Sequence, residues 1–262
     1  MEIKISNLNY AYEKINYKPK EIFSKLNIKF NEGINCIIGD NGQGKTTLLD
    51  IINGDLKHKS GKVIKSTDKI GYVKETPLFV TDTVREELIY NLIEHNHKVS
   101  EKRLYDALLM VGLDSNLMDS KISTLTYSQK RLLDLACAII YNPRVLLIDN
   151  LTQDLSDVDK KNIIKLVRLL KKRYDKLIII ASNDLEFVHK VADKIIVLYD
   201  KRVVLEGTKY DVFKNEKLLK QYNLSVPNII KFENLVLDKK GIKLGYRDEI
   251  NDLIKDIFRN TY

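Results

Sequence analysis

The segment from Gly39 to Thr46 is the sequence feature that most restricts what this chain can fold into. It matches the pattern G-x-x-x-x-G-K-[ST], reading Gly39-Asp40-Asn41-Gly42-Gln43-Gly44-Lys45-Thr46. It lies between a strand-like apolar run, Ile34–Ile38, and a helical pattern, as that motif requires. Its glycines let backbone N–H groups turn toward phosphate oxygens, and the helix adds its positive N-terminal end. The sequence therefore predicts a phosphate-binding loop, in which Lys45 neutralises phosphate charge and the Thr46 hydroxyl can hold Mg²⁺.

Strand and helix patterns alternate around this loop. The strand patterns are Ile3–Asn9, Phe23–Phe30, Ile34–Ile38, Lys62–Lys65, Ile70–Lys74, Val145–Ile148, Leu177–Ala181 and Lys194–Leu198. The helical patterns are Lys45–Ile52, Thr83–Met110 with a break near residues 97–100, Ser128–Tyr141, Val158–Arg173 and Leu185–Val191. This order predicts an α/β fold with a mainly parallel sheet and crossover helices, an N-terminal antiparallel β portion and a helical insert.

Composition and chain ends narrow the class of protein. Of the 262 residues, 44% are hydrophobic and 31% charged, which is typical of a globular protein. The longest apolar runs are strand-sized and fall short of the roughly 18 residues that a membrane-spanning helix needs. Residues 1–4 lack the apolar core of a signal peptide, and the two cysteines, Cys36 and Cys137, occupy core-like positions. These features predict a cytosolic chain.

The formal net charge of +8 leaves three interpretations open. The 44 Lys and Arg residues are interleaved with 36 acidic residues, without a block of five or six like charges. A solvated Lys-rich surface explains this pattern most simply. Attraction to an anionic membrane face is the second interpretation, and nucleic-acid binding is the third.

Residues on and beyond the loop resemble a known family. Asn41–Leu49 looks like the N-G-x-G-K-[ST]-T-L-[LM] segment of ABC-type ATPases. Leu125–Gln129 stands where that family has its signature, L-S-G-G-Q. Val145–Asp149 is similar to the Walker B strand, and Ile178–Asp184 to the strand that ends in the switch position.

The resemblance implies a P-loop NTPase fold of the ABC type. It covers about residues 2–215, so that residues 1–215 are expected to form the nucleotide-binding domain, with a helical subdomain at about 77–127. Residues 216–262 would form a small C-terminal extension. Leu224–Pro227 within it resembles the extension of the energy-coupling factor (ECF) importer subgroup.

The resemblance also implies ATP and Mg²⁺ as cofactors. Tyr12 would stack on adenine, and Asp149 would orient Mg²⁺ through water while Thr46 binds it. The implied nucleotide-binding residues are Tyr12, Gly39, Asn41, Gly42, Gly44, Lys45, Thr46 and Thr47. In this family two chains enclose two nucleotides, so the signature segment would act on the partner's nucleotide through Thr126, Tyr127, Ser128 and Gln129.

Three positions of the implied catalytic centre depart from the family. Asn150 replaces the glutamate that polarises the attacking water, and it can orient water but cannot accept a proton. Asn183 replaces the switch histidine, and Glu75 replaces the glutamine of the Q-loop. Because loss of a general base typically costs roughly 10²- to 10⁴-fold in rate, the chain alone is predicted to hydrolyse ATP slowly.

Two further departures affect the contact between paired chains. Ser156 replaces the aspartate of the D-loop, and Tyr127 and Ser128 replace both signature glycines. A homodimer would carry every defect twice. A heterodimer with an intact second ATPase subunit would keep one site that lacks only the signature glycines, and one that lacks the glutamate and the histidine.

These patterns favour an ATP-binding subunit of an ABC transporter of the ECF importer type, peripheral on the inner face of the cell membrane. Its expected partners are a second ATPase subunit and a transmembrane subunit that docks near Glu75–Leu88. One alternative is a nucleotide-responsive regulatory or scaffold module with little ATPase activity. Another is a soluble ABC-type ATPase that acts on nucleic acid, although that class usually fuses two cassettes.

Overall fold

Two separate β-sheets form the frame of the computed structural model, which describes residues 1–14, 17–153, 155–241 and 250–261. The strands are β1 Glu2–Lys14, β2 Tyr17–Asn31, β3 Gly33–Ile38, β4 Ser60–Lys65, β5 Ile70–Val73, β6 Val145–Asp149, β7 Leu177–Ala181, β8 Lys194–Tyr199 and β9 Arg202–Gly207. The first sheet is antiparallel, in the order β2-β1-β4. The second has the order β5-β6-β7-β3-β8-β9, and only β9 runs antiparallel to its neighbour.

Helices connect the parallel strands and extend the chain beyond them. They are α1 Lys45–Asn53, α2 Val84–Glu94, α3 Glu101–Val111, α4 Tyr127–Ile140, α5 Asp157–Tyr174, α6 Leu185–Val191, α7 Lys209–Phe213, α8 Glu216–Gln221, α9 Asn228–Lys240 and α10 Ile250–Thr261. Short 3-10 turns at Ser115–Leu117 and Ile122–Thr124 precede α4. The predicted fold class is confirmed, including the crossover helices and the antiparallel N-terminal sheet.

Local sequence explains where these helices begin and end. Thr83 caps α2 and Thr126 caps α4, each through a capping box with the residue three positions later. Helix α1 ends at Gly54, whose φ of 103° is the left-handed conformation that glycine adopts without strain. The predicted break within the helical insert is the loop between α2 and α3, where Ser100 caps the second helix.

Alternating side chains of the parallel sheet pack into two hydrophobic clusters, one on each face of the sheet. In β6, Leu146 and Ile148 pack with the cluster that includes α2 to α6. Val145 and Leu147 face the other cluster, which is built mainly from β1, β2 and α1. This period of two buries both faces of the sheet, as expected for parallel strands between two layers. The sheet edge at the carboxyl ends of the strands is left open to solvent and can carry a site.

The C-terminal part differs from the sequence prediction. Strand β9 was not predicted, nor were the three helices that follow residue 215. Leu219, Val226 and Ile230 are buried against the larger hydrophobic cluster, so this segment packs on the preceding fold. Within the described ranges, no helix is both long enough and apolar enough to cross a membrane.

Candidate nucleotide-binding site

The loop from Gly39 to Gly44 leaves β3 at Ile38 and enters α1 at Lys45, as the motif requires. Gly44 precedes the helix with a φ of 91°. A Cβ atom there would lie 2.6 Å from Ile22 Cγ2 and 2.9 Å from the Phe23 ring, so both conformation and space require glycine. The loop therefore lies tightly against β2, and the first turn of α1 presents its free N–H groups at the loop.

Lys45 is buried and already directed along the loop. Its Nζ donates to the carbonyl oxygens of Gly39 (2.7 Å) and Asp40 (3.1 Å). Burial lowers the pKa of Lys45, and the Asp149 carboxylate is the largest opposing influence. A phosphate group would replace these two neutral acceptors with charged ones, which form stronger hydrogen bonds with an ammonium group.

The loop is also fixed from outside the motif. Gln43 Oε1 accepts a hydrogen bond from the Asp200 amide at 2.9 Å, at the turn between β8 and β9. Asn223 Nδ2 donates to Asp40 Oδ2 at 2.6 Å, and this bond is the largest factor that lowers the pKa of Asp40. The segment after α8 thus contacts the phosphate-binding loop directly, which the sequence did not indicate.

Tyr12 stands beside the helix that follows the loop. Its hydroxyl lies 3.0 Å from Thr47 Oγ1, and its ring meets that of Tyr10 edge to face at 5.1 Å. The Tyr12 side chain is 38% exposed. One ring face can therefore stack on a flat ligand at the margin of the loop.

Asp149 and Thr46 provide a set of oxygen ligands suited to Mg²⁺. Asp149 ends β6 and is fully buried, and neither carboxylate oxygen has a hydrogen-bond partner at normal geometry within the described part of the chain. Burial raises the pKa of Asp149 to about 6, although the Thr46 hydroxyl acts in the opposite direction and lowers this pKa. A buried carboxylate and a hydroxyl facing a phosphate loop fit a hard, oxygen-binding cation, which would relieve the unsatisfied charge.

Glu75 and Asn150 form a hydrogen-bonded pair next to the loop. Asn150 Nδ2 donates to Glu75 Oε1 at 2.9 Å. Because β5 and β6 are adjacent and parallel, with Val73 paired to Ile148, the positions two residues beyond that pair come together. Asn150 has a left-handed φ of 44°, which asparagine tolerates better than most residues.

Asn183 reaches the loop from the neighbouring strand. It lies two residues beyond β7, and its Nδ2 donates to Asn41 Oδ1 at 2.9 Å. The Ser182 amide donates to the Ile37 carbonyl at 3.1 Å, which ties the end of β7 to β3. The three predicted departures, Glu75, Asn150 and Asn183, thus share one sheet edge with the phosphate-binding loop.

Two connected clefts, which share lining residues, lie along this edge of the sheet. The first encloses about 230 Å³ and is lined by Tyr12, Lys20, Ile22, Asn41, Gly42, Gly44, Lys45, Thr46, Thr47, Glu75 and Asn150. The second encloses about 610 Å³ and is lined by Asn41, Glu75, Asn150, Thr152, Gln153, Lys160, Ser182, Asn183 and Asp184. Three residues line both clefts, namely Asn41, Glu75 and Asn150. They lie where the cleft at the phosphate-binding loop meets the cleft at the end of β7.

Arg131 is a buried residue that holds the backbone of the site in place, and sequence analysis missed it. This fully buried side chain of α4 donates to the carbonyl oxygens of Lys74, Glu75 (2.6 Å) and Asp149 (3.0 Å). It therefore fixes both segments that carry the Glu75–Asn150 pair. Helical periodicity could have revealed that Arg131 is buried, because it lies one turn before Leu135 and therefore on the apolar face of α4.

Sequence analysis also missed an ion pair at the cleft margin. Lys160 of α5 lies 3.0 Å from Asp184 Oδ2, and Asp184 Oδ1 caps α6 through the Phe187 amide at 3.0 Å. Asp184 is thus engaged as a structural residue. Asp154, the first carboxylate after Asn150 in sequence, lies outside the described residues.

The signature segment does not join these clefts. Thr126 caps α4 by accepting from the Gln129 amide, and the Gln129 side chain accepts in return from the Thr126 amide at 2.9 Å. Tyr127 is 49% exposed and Ser128 half-buried. No described residue of Thr126–Gln129 lines either cleft. Within one chain, the predicted signature and the phosphate loop are thus separate surfaces.

Comparison with known proteins agrees with this geometry. The ABC transporter family matches residues 23–153. The ATP-binding protein EcfA2 of the energy-coupling factor transporter of Clostridium acetobutylicum is 32% identical over 280 residues, covering 98% of this chain and 94% of that protein. Among solved structures, cbiO1 from Clostridium perfringens, part of the ABC transporter complex cbiONQ, is 26% identical with a TM-score of 0.69, covering 88% of this chain and 98% of that one.

A second solved structure supports the fold alone. The dimeric bacterial ABC transporter cassette MJ0796 is 23% identical with a TM-score of 0.72, covering 79% of this chain and 98% of that one. The family match spans half of the chain, and the relative from Clostridium acetobutylicum covers 98% of it. Proteins of this family bind ATP. The chain therefore belongs to the ABC transporter ATP-binding family, as an ATPase subunit of the energy-coupling factor type.

Proposed function

We propose that this chain binds Mg-ATP in the two connected clefts and couples its binding and hydrolysis to solute uptake, on the cytoplasmic face of the membrane. The observation that carries this proposal is the intact phosphate-binding loop, with Lys45 directed along it and the Glu75–Asn150 pair at its open side. Gly39, Asn41, Gly42, Gly44 and Lys45 receive the phosphates. Tyr12 and Thr47 lie where the adenosine end would emerge.

Thr46 and Asp149 hold Mg²⁺ in this proposal, Asp149 through water. The unsatisfied carboxylate oxygens of Asp149 support this assignment, because a buried charge needs a partner. When bound, Mg²⁺ neutralises phosphate charge that would otherwise resist attack by water.

A second ATPase subunit completes each nucleotide site. The separation of the signature segment from the clefts supports an arrangement in which Thr126, Tyr127, Ser128 and Gln129 face a nucleotide on the partner. Because Tyr127 and Ser128 replace two glycines, a partner with an intact signature would supply what this chain lacks. A heterodimer is therefore favoured over a homodimer.

A transmembrane subunit docks near Glu75–Leu88. Two large apolar side chains in this segment are exposed, Leu78 at 75% and Val80 at 68%, within five residues of Glu75, which contacts Asn150. Exposed apolar side chains on a loop between β5 and α2 suit a hydrophobic protein contact. The same loop would transmit changes at the nucleotide to the membrane partner.

The domain organisation follows from this assignment. Residues 1–215 form the nucleotide-binding domain, and its helical subdomain at about 77–127 contains α2 and α3. Residues 216–262 form the C-terminal extension, whose described part includes the Asn223 contact to Asp40.

Purification from native membranes tests the proposal. Tagged chain extracted with detergent is expected to bring down an integral membrane protein and a second ATPase with an intact L-S-G-G-Q signature. Leu78→Asp with Val80→Asp is expected to lose the membrane protein and keep ATP binding. Ile64→Asp, which changes an exposed apolar residue of β4, is the control and is expected to keep both. Recovery of the chain in the soluble fraction, with nucleic acid released by salt, would contradict the proposal.

A further inference from the structure

The Glu75–Asn150 pair exchanges the two chemical groups that the family places at these positions. The family has an amide in the Q-loop and a carboxylate after the Walker B aspartate, whereas this chain has the carboxylate at Glu75 and the amide at Asn150. The two side chains touch, with Asn150 Nδ2 2.9 Å from Glu75 Oε1. The pair therefore still provides one carboxylate and one amide, supplied by the opposite strands.

Glu75 is the available carboxylate in this cleft. Asp184 is engaged by Lys160 and by the N-terminus of α6, and Asp149 is fully buried at the end of β6. Glu75 is exposed, lines both clefts and has no salt bridge within the described part of the chain. Its contact with Asn150 uses one oxygen, and a carboxylate has about four lone-pair sites, so the second oxygen can accept a proton from water.

We propose that Glu75 is the general base for ATP hydrolysis at this chain's own phosphate loop, an inference that rests on the proposed function. Glu75 takes a proton from the attacking water as the water oxygen forms its bond to the γ-phosphorus. The bond from that phosphorus to the bridging oxygen breaks, and its electron pair leaves with ADP. The products are ADP, inorganic phosphate and the proton on Glu75, which the exposed carboxyl returns to solvent.

Asn150 is a positioning residue in this mechanism. Its amide fixes Glu75 Oε1, and Arg131 holds the backbone on both sides through the carbonyl oxygens of Glu75 and Asp149. The side chain of Glu75 is thereby held in the lining that both clefts share, instead of rotating freely in solvent. Proton transfer to a group held in this way typically accelerates a reaction by about 10²- to 10⁴-fold.

Single-turnover hydrolysis by the complex of this chain with the second ATPase subunit, in which the partner's own phosphate-loop lysine is changed to alanine, tests Glu75 directly. Excess protein is mixed with labelled Mg-ATP, the conversion to ADP is followed by chromatography, and affinity is measured separately by calorimetry. Glu75→Gln keeps the acceptor for Asn150 but cannot take a proton. We expect its rate to fall at least about 100-fold, with ATP affinity within threefold of wild type and intact ATP retained on the protein. Glu94→Gln, the same exchange at an exposed position of α2, is expected to keep the wild-type rate.

Four outcomes overturn the inference, and one of them also overturns the proposed function. A rate for Glu75→Gln within threefold of wild type would remove Glu75 from the reaction. Loss of Mg-ATP binding in that variant would make Glu75 a metal ligand instead of a base. Wild type that binds ATP but hydrolyses it no faster than Lys45→Ala would refute the inference alone. Wild type that binds no ATP would refute the proposed function with it.

The pH dependence of the rate tests the role of Asn150. Asn150→Asp places a second carboxylate beside Glu75, and two carboxylates in contact share a proton, which raises the apparent pKa of the pair. The acidic limb of the pH–rate profile is expected to move upward by about one unit or more, with recovery of the rate at higher pH. A uniform loss of rate at every pH, with an unmoved acidic limb, would show that Asn150 does not act through Glu75.

Discussion

The buried Arg131 side chain holds the carbonyl oxygen of Asp149 at 3.0 Å, and this contact fastens helix α4 to the end of β6. The same guanidinium also donates to the carbonyl oxygens of Lys74 and Glu75. One charged group thus satisfies three backbone acceptors that the fold brings together from two strands. The geometry of the candidate site depends on this single side chain.

Arg131→Met is expected to lower the free energy of unfolding by about 3 kcal/mol, because it leaves buried carbonyl oxygens without donors. Urea denaturation followed by circular dichroism measures the change. Arg144→Met is the matched control, since Arg144 is exposed at the start of β6, and it is expected to change stability by less than about 0.5 kcal/mol. A loss below about 1 kcal/mol in Arg131→Met would contradict the structural role.

Asp134 makes the stability of the protein depend on pH. Burial raises its pKa to about 7, and the nearby Arg131 is the largest opposing influence. One of its carboxylate oxygens is buried without a hydrogen-bond partner among the described residues. Because the folded-state pKa is raised, the folded state gains from protonation at low pH and loses that gain as the pH rises from about 4 to about 7.

Asp134→Asn is therefore expected to unfold less readily than wild type at pH 8, by about 1 to 3 kcal/mol. The advantage should shrink as the pH falls and disappear near pH 4 (roughly the pKa of an unperturbed aspartate). Thermal or urea unfolding at several pH values measures it. An advantage that is the same at every pH would contradict the assigned pKa.

Tyr12 provides a test of the adenosine end of the site. Tyr12→Ala removes the exposed ring and is expected to weaken ATP binding by about 1 to 3 kcal/mol, the usual size of a base–aromatic stacking contact. Tyr12→Phe keeps the ring and loses only the hydroxyl near Thr47, so its affinity should stay within threefold of wild type. Calorimetry with Mg-ATP distinguishes the two. Equal affinity of wild type and Tyr12→Ala would exclude stacking on Tyr12.

The signature segment is expected to matter only for a partner's nucleotide. Tyr127→Gly with Ser128→Gly restores the backbone that the family presents to phosphate, and it should raise hydrolysis at the partner's loop in the assembled complex. ATP binding by this chain alone should not change, since neither residue lines its clefts. Comparing the ATPase rate of the complex with the binding affinity of the isolated variant checks both statements. A changed affinity in the isolated chain would contradict the assignment in trans.

Much of the fold could be predicted from the sequence because its signals are local. The motif at Gly39–Thr46 fixes a strand before it and a helix after it, and the buried strands β6 and β7 are continuous apolar runs. Strand β9 was missed, because it lies at the sheet edge and its side chains are largely half-exposed, so its apolar pattern is short. Helices α8 and α9 were missed for a similar reason, since charges interrupt their apolar stripes. Helix α10 has a clear apolar stripe and was overlooked.

The contacts of the site could not be predicted, although most of its residues were. Asn150 and Glu75 are 75 positions apart, and their hydrogen bond exists only because β5 and β6 are neighbours in the sheet. From the sequence, Glu75 and Asn150 are two independent departures from the family. In the structure, their side chains contact each other. Arg131 was missed, because a charge within an apolar stripe does not reveal which carbonyl groups it will meet.

The affinity of the purified full chain for Mg-ATP, measured by calorimetry for wild type and Lys45→Ala, tests the nucleotide site most directly. The account predicts that wild type binds and that Lys45→Ala binds about tenfold to 100-fold more weakly, since a charge-assisted hydrogen bond typically contributes about 1.5 to 3 kcal/mol. Lys57→Ala, which removes an exposed lysine beyond α1, should bind as wild type does. Equal affinity of wild type and Lys45→Ala, or no binding by wild type, would contradict the account.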